Sequence, residues 1–109
     1  YRAGVRILGA PLLPRTNSTD TWITTAGQTG QTNFTPLGSG VREQFNDWMR
    51  SRPTGFTGCL DVTVATETAL NSGVWRVNGT ANYATSDGTH PSQTIHSAIA
   101  NALPFGLIL

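Results

Sequence analysis

The sequence predicts an α/β domain with a parallel sheet, and three patterns support that fold class. Two short apolar runs, over residues 4–10 and 56–65, have the composition of buried strands, and a helical period lies between them over residues 41–52. A second helical period covers residues 91–102. A strand, a helix and a second strand in this order are typical of parallel sheets, because a crossover helix joins neighbouring parallel strands. A chain of this length is expected to form one segment, residues 1–109.

The first apolar run, residues 4–10, is followed by Pro11 and Pro14, which end a strand because proline has no N–H group to donate. Residues 15–40 are rich in Thr, Asn, Gly and Gln, and we predict a long connection without regular structure. Long connections are commonly lids or binding loops, and loops at the carboxyl ends of parallel strands form the ligand crevice. Its isolated aromatic residues either line a substrate site or fix the loop onto the core: Trp22 and Phe34.

Residues 41–52 carry the clearest helical pattern. Four apolar residues fall at i, i+4, i+7 and i+8, on one helix face: Val41, Phe45, Trp48 and Met49. We expect this face to pack against the sheet formed by the strands around Ile7 and Leu60. The arginine and acidic residues of the helix are then expected to be solvated.

The second strand is centred on residues 59–64. Cys59 is the only cysteine, so no disulfide forms within the chain, and its neighbours predict a small buried residue. A catalytic cysteine is less favoured because it needs a base beside it. Asp61 is the one carboxylate in the run, so we expect it at a strand end or hydrogen-bonded, since an unpaired buried charge is costly.

The remaining elements lie before and after the candidate chemistry. Residues 66–71 predict a helical turn, and Asn78-Gly79 between residues 74–77 and 80–83 predicts a β-hairpin. The last helix ends at Pro104. It places four apolar residues on one stripe: Ile95, Ala98, Ile99 and Ala102.

Residues 86–92 carry the candidate chemistry. Asp87 and His90 stand three residues apart, on a turn that Gly88 permits, just before the last helix. A histidine general base needs one ring nitrogen held by an acceptor, so that the other nitrogen faces a nucleophile. Asp87 is predicted to be that acceptor, with Asp61 as the alternative.

Residues 87–92, Asp-Gly-Thr-His-Pro-Ser, followed by a helix, resemble the last conserved block of the SGNH (GDSL-type) serine esterases, in which an Asp-x-x-His pair completes a catalytic triad. The preceding order of strand, long loop, helix and strand is similar to the later half of such a domain. The chain departs from the family at Ile95, where Gly is frequent, and the family's nucleophile, oxyanion Gly and oxyanion Asn blocks are not found. Residues 38–40, Gly-Ser-Gly, lack the spacing of a Gly-x-Ser-x-Gly elbow.

The resemblance implies a flavodoxin-like three-layer α/β fold, of which residues 1–109 are the C-terminal half, with Tyr1 lying inside a domain. It implies ester hydrolysis by a serine-hydrolase mechanism, with His90 as general base, Asp87 as its partner and the serine nucleophile on a separate segment. The implied partners are the N-terminal half of the domain and an ester substrate. Acetylated polysaccharide, lipid and small ester are all open as that substrate, and the loop with Trp22 and many hydroxyl groups slightly favours carbohydrate. No cofactor and no metal belong to this mechanism.

Two other functions are left open by the residues. A metal site would use Asp87, His90 and His96. Two histidines six residues apart on a helix are related by a rotation of about 240° around the helix axis, so they share no face. A non-enzymatic carbohydrate-binding or surface module is suggested by three tryptophans and a low charge, although it would need more alternating strands. A Gly-Asp-Ser-like block upstream in the parent protein would decide for the esterase.

Composition bears on the classes of partner. Charged residues make up 12% of the chain and the net charge is +1, so nothing favours nucleic acid or an anionic membrane surface. The apolar runs are far shorter than a membrane span. Three Asn-x-Ser/Thr sequons, at Asn17, Asn33 and Asn78, weakly favour an extracellular setting.

Overall fold

A computed structural model describes residues 4–108, which form a small mixed α/β domain with one parallel and one antiparallel pair of strands. The described chain is elongated, with extents of 49 × 27 × 18 Å. In chain order its elements are β1 (Leu8–Gly9), β2 (Thr16–Ser18), β3 (Gln28–Gly30), α1 (Val41–Arg50), β4 (Gly58–Cys59), α2 (Thr63–Thr66), α3 (Gln93–Ala102) and α4 (Phe105–Ile108).

The strands β1 and β4 pair in parallel, as the strand-helix-strand order predicts. The register sets Leu8 opposite Gly58 and Gly9 opposite Cys59. The second strand is much shorter than the predicted residues 56–65, because the Asp61 carboxylate accepts hydrogen bonds from the Thr63 amide and hydroxyl and turns the chain into α2.

The antiparallel pair β2 and β3 lies within residues 15–40, where we predicted no regular structure, so that prediction is wrong. Asp20 organises the turn that joins them. Its Oδ2 accepts hydrogen bonds from the amide and hydroxyl of Thr24, and its Oδ1 accepts one from the Ser18 hydroxyl. Side-chain bonds to backbone amides therefore shape a segment that lacks the apolar alternation of a strand.

The helix α1 begins where the pattern predicts, but the face that it buries is rotated by one residue. Val41 and Trp48, predicted to be buried, are 75% and 50% exposed, and of that set only Met49 is buried. The buried face is instead formed by Arg42, Glu43, Asn46 and Met49. The prediction that the charged residues of this helix are solvated is therefore wrong for Arg42 and Glu43.

The reason is a buried ion cluster formed by Arg42, Glu43 and Glu67, here called the Arg42 cluster. The guanidinium lies 2.8 Å from Glu43 and 2.9 Å from Glu67. Its remaining N–H groups donate to the carbonyls of Leu12 and Leu13 at 2.7 and 2.9 Å. A fifth bond, of 3.2 Å, reaches the other oxygen of Glu67, so all five guanidinium donors have acceptors, which offsets the cost of burying the charges.

The predicted hairpin around Asn78-Gly79 does not form. The backbone amides on its two sides bind other segments, since Arg76 N donates to Thr66 O at 2.8 Å and Asn82 N donates to Thr21 O at 2.7 Å. Only a local turn remains, in which Thr80 N donates to the Asn78 side chain. Longer-range pairing has overridden the local turn signal.

The apolar core consists of Trp75, Ala84 and Ile95, with four partly buried residues packed around it: Leu13, Trp22, Tyr83 and Ile99. Ser92 caps α3, because its hydroxyl accepts a hydrogen bond from Ile95 N and donates one to Tyr83 O. Helix α3 ends as predicted, although Ala102 is exposed and a short helix follows Pro104. Within residues 4–108 no helix has the length and apolar character needed to cross a membrane.

Candidate active site

Asp87 and His90 form a direct hydrogen bond, as their spacing predicts. The His90 Nδ1 atom lies 2.6 Å from Asp87 Oδ2. The other carboxylate oxygen, Oδ1, accepts hydrogen bonds from the backbone amides of Thr89 and His90, both at 2.8 Å. The two side chains are 51% and 79% exposed, respectively, so the pair lies at the surface.

The loop that carries the pair is bonded to β2 and to the core through Gly88. The Gly88 carbonyl accepts two hydrogen bonds of 3.0 Å, one from Thr16 N and one from the indole N–H of the fully buried Trp75. Gly88 has φ +76°, and a Cβ at this position would collide with the Thr16 carbonyl oxygen. Only glycine satisfies both constraints, so the loop and β2 approach each other at this residue.

Thr85 fixes the same loop from its other end. This fully buried hydroxyl accepts hydrogen bonds from the amides of Asp87 and Gly88, at 3.4 and 3.0 Å, and donates to Asp87 Oδ1 at 3.3 Å. One hydroxyl therefore uses its single proton and both lone pairs on residues 87 and 88. Thr85 thus orients the Asp87 carboxylate.

A second polar layer supports Trp75. The buried Gln28 side chain accepts from Trp75 N and donates to Trp75 O, both at 2.9 Å, and it also accepts from the Thr16 hydroxyl. The Trp22 indole donates to the same hydroxyl at 3.0 Å and packs against the core. Of the two roles open to Trp22 from the sequence, the structure supports that of fixing its loop onto the core.

The hydrogen bonds to the Asp87 carboxylate determine its charge state. Hydrogen bonds from the His90 amide, the His90 ring and the Thr89 amide hold the pKa of Asp87 well below its ordinary value of 3.8. Asp87 is therefore an anion at neutral pH. With the Nδ1 proton donated to this anion, the lone pair of His90 lies on Nε2, a tautomer that the hydrogen-bond network assigns.

The alternative histidine partner, Asp61, belongs to a different cluster. Its Oδ2 lies 2.7 Å from Arg50 Nε, and although burial opposes the effect, bonds from Arg50 and Thr63 lower the pKa of Asp61 below 3.8. The prediction that Asp61 is hydrogen-bonded is confirmed, and Arg50 is its partner. Burial raises the pKa of the half-buried Cys59 thiol, with the Asp61 charge adding to the effect, so this cysteine is not an activated thiolate.

The metal hypothesis receives no support from the described residues. His96 lies exposed on α3, away from the hydrogen bonds that join Asp87 and His90. Among residues 4–108 no group of three histidine, cysteine or acidic side chains is placed to hold a metal ion.

Sequence reasoning missed the residues that hold the loop, namely Thr85, Trp75 and Gln28. The sequence does carry a signal for Thr85, which is a hydroxyl residue two positions before Asp87. Ser and Thr side chains often accept hydrogen bonds from amides two or three residues later and so fix a turn. The bond from Trp75 to Gly88 spans 13 residues and the bond from Gln28 to Trp75 spans 47, so no local sequence pattern predicts them.

No family model, curated protein or solved structure matches this chain. The interpretation of the site therefore depends on the geometry of Asp87 and His90 and on the local resemblance of residues 87–92.

Proposed function

We propose that this chain supplies the general base of a serine-type ester hydrolase, with His90 as the base and Asp87 as its orienting partner. The observation that carries the proposal is the 2.6 Å contact between His90 Nδ1 and Asp87 Oδ2, on a carboxylate whose other oxygen is held by two backbone amides. This leaves Nε2 of an exposed imidazole directed away from its partner and open to a second group.

The proposed reaction follows from that arrangement. His90 Nε2 takes the proton of a serine hydroxyl as the serine oxygen attacks the ester carbonyl, and the imidazolium then protonates the leaving alcohol. Water hydrolyses the acyl-enzyme, with His90 again as the base. Asp87 remains ionised throughout and stabilises the imidazolium, because its low pKa keeps the proton on the histidine.

We place the serine nucleophile and the oxyanion donors on a separate segment that covers this face. Ser92 is occupied in capping α3, and His90 is 79% exposed, whereas catalysis by an imidazole benefits from exclusion of water. The radius of gyration is 14.7 Å, against about 13 Å for a compact domain of ~100 residues. An N-terminal half that adds strands to the β1–β4 pair would complete a three-layer domain with a flavodoxin-like parallel sheet.

A non-enzymatic binding module has less support. Such modules are commonly sandwiches of about seven antiparallel strands. Residues 4–108 contain four strands, each of two or three residues, and only one antiparallel pair. It also assigns no role to a carboxylate held so closely on a histidine.

A fluorophosphonate probe, which labels activated serines, tests the proposal. We define the complete protein as this chain joined to the segment that carries the serine. The complete protein is expected to be labelled outside residues 1–109 and to hydrolyse p-nitrophenyl acetate, and the chain alone is expected to do neither.

Two outcomes contradict the proposal. Labelling of Ser39, Ser86 or Ser92 in the chain alone would place the nucleophile in this sequence. A complete protein that is neither labelled nor active would favour the binding module.

A further inference from the structure

An arginine lies beside the loop that carries the candidate base. The Nε atom of Arg15 donates to the Thr89 hydroxyl at 3.3 Å, and its guanidinium carbon lies 5.6 Å from the centre of the Phe34 ring. Within residues 4–108 this guanidinium forms no ion pair with a carboxylate, in contrast to Arg42 and Arg50. Its orientation is thus held by two contacts, while its charge remains open to a ligand.

The guanidinium borders an open polar depression of about 430 Å³, which is lined by Arg15, Asn17, Gln31 and Thr32. These residues lie where β2 begins and β3 ends, and a bond of 3.1 Å from Gln31 N to Arg15 O joins the two strands there. The Gln31 side chain is also fixed, because its amide donates to Thr16 O at 3.0 Å. The lining thus combines one cation with amide and hydroxyl groups, and it contains no acidic residue.

The depression and the candidate base are neighbours in the structure. Thr89, which accepts the Arg15 bond, directly precedes His90. The residue next to Arg15, Thr16, donates its amide to Gly88 in the same loop. The depression therefore adjoins the loop that carries His90, with the guanidinium bonded to the residue next to it.

We propose that this depression is a substrate subsite for the carboxylate of an acylated acidic sugar, a proposal that rests on the esterase function. Guanidinium binds carboxylate through two parallel hydrogen bonds, and one fixed cation matches a monoanion better than a dianionic phosphate. The amides of Asn17 and Gln31 and the Thr32 hydroxyl suit the hydroxyl groups of a sugar ring. The substrate class is thus an O-acetylated uronic acid unit.

Binding to the 109-residue chain tests the subsite without requiring catalysis. Amide chemical shifts are followed while O-acetylated methyl glucuronoside is added. O-acetylated methyl glucoside, in which a hydroxymethyl group replaces the carboxylate, serves as the matched neutral sugar. We expect shifts at residues 15–17, 31–32 and 89, and a preference of roughly tenfold for the acidic sugar. Inorganic phosphate is titrated as a second anion.

Three variants define the role of Arg15. Arg15→Gln is expected to abolish the preference for the acidic sugar, and Arg15→Lys is expected to retain part of it, because a lysine keeps the charge and loses the planar pair of donors. Arg52→Gln, which removes an exposed arginine outside the depression, is expected to change nothing.

Equal binding of the two sugars, tighter binding of phosphate, or an equal loss in Arg15→Gln and Arg52→Gln would overturn the proposal. The esterase proposal can fail separately. If the chain binds the acidic sugar but the complete protein hydrolyses no ester, the binding site is retained and the esterase reaction is rejected.

Discussion

The Arg42 cluster and the Asp87–His90 pair are both built from oppositely charged side chains, but they differ in what they leave open. In the Arg42 cluster the side chains are at most 4% exposed, and each guanidinium donor has an acceptor. In the Asp87–His90 pair the carboxylate is equally well bonded, but within residues 4–108 the Nε2 atom of a 79% exposed imidazole has no hydrogen-bond partner.

The difference separates a structural group of charges from a candidate catalytic one. The three charges of the Arg42 cluster join α1 to residues 12 and 13 and to Glu67, so they stabilise the fold and have no donor left for a ligand. In the Asp87–His90 pair both carboxylate oxygens and the Nδ1 atom form hydrogen bonds, and only Nε2, the atom that catalysis needs, is left open within residues 4–108. Disruption of the first should affect folding, and disruption of the second should affect activity.

The largest expected effect on stability is at Arg42. Arg42→Met leaves Glu43 and Glu67 buried without their cation, and removing one partner of a buried ion pair costs about 3 to 5 kcal/mol. Urea unfolding measures this loss. Arg76→Met is the matched control, because the Arg76 side chain is exposed and within residues 4–108 donates only to Val64 O; it is expected to cost under ~0.5 kcal/mol. Equal effects of the two variants would contradict the structural role of the cluster.

A smaller loss is expected at Thr85. Thr85→Val keeps the shape and leaves two loop amides without their acceptor, which costs about 1 to 3 kcal/mol. Thr85→Ser restores the hydroxyl and should restore stability. In the complete protein Thr85→Val is also expected to lower kcat about tenfold without a matching rise in KM, since the residue positions Asp87 rather than substrate. A rise in KM alone would refute this role.

The acid titration of Asp87 provides a readout that packing alone does not change. The hydrogen bonds from His90 and Thr89 hold the folded pKa of Asp87 below 3.8. The stability that these bonds provide is therefore fully present above pH 3.8 and is lost as pH falls through the folded pKa. The NMR chemical shift of the Asp87 side-chain carboxyl carbon, followed against pH, should show a titration midpoint well below pH 3.8. In Thr85→Val the midpoint should move towards 3.8, and an unchanged midpoint would show that Thr85 does not orient the carboxylate.

The smallest effects are expected on the exposed face of α1. Phe45 is half-buried and contacts Trp48 at a ring distance of 5.6 Å, so Phe45→Ala should cost about 1 to 2 kcal/mol, less than the loss for a fully buried ring. Val41→Ala should cost under ~0.5 kcal/mol, because Val41 is 75% exposed. A loss above ~3 kcal/mol in either variant would mean that another surface covers this face.

The sequence was informative for three features with a local signal. Helix α1, the capped helix α3 and the Asp87–His90 contact each depend on residues less than a dozen positions apart, and their patterns predicted them. The parallel pairing of β1 and β4 followed from the order of the elements.

Two of the errors have a common physical cause, which is polar partners distant in sequence. The rotation of α1 is decided by Arg42, whose acceptors at Leu12 and Glu67 lie 30 and 25 residues away. An apolar face of Val41 and Trp48 is the simpler prediction until those partners are known. The hairpin at Asn78-Gly79 failed for the same reason, since its strands pair elsewhere.

The central claim is that His90 is the general base, and hydrolysis of p-nitrophenyl acetate by the complete protein tests it most directly. His90→Asn is expected to lower kcat/KM by at least ~10³-fold, and Asp87→Ala by less, because serine and imidazole can still meet. His96→Asn, the matched control on α3, should stay within about twofold of the wild type. Retention of more than about a tenth of the activity in His90→Asn, or an equal loss in His96→Asn, would contradict the account.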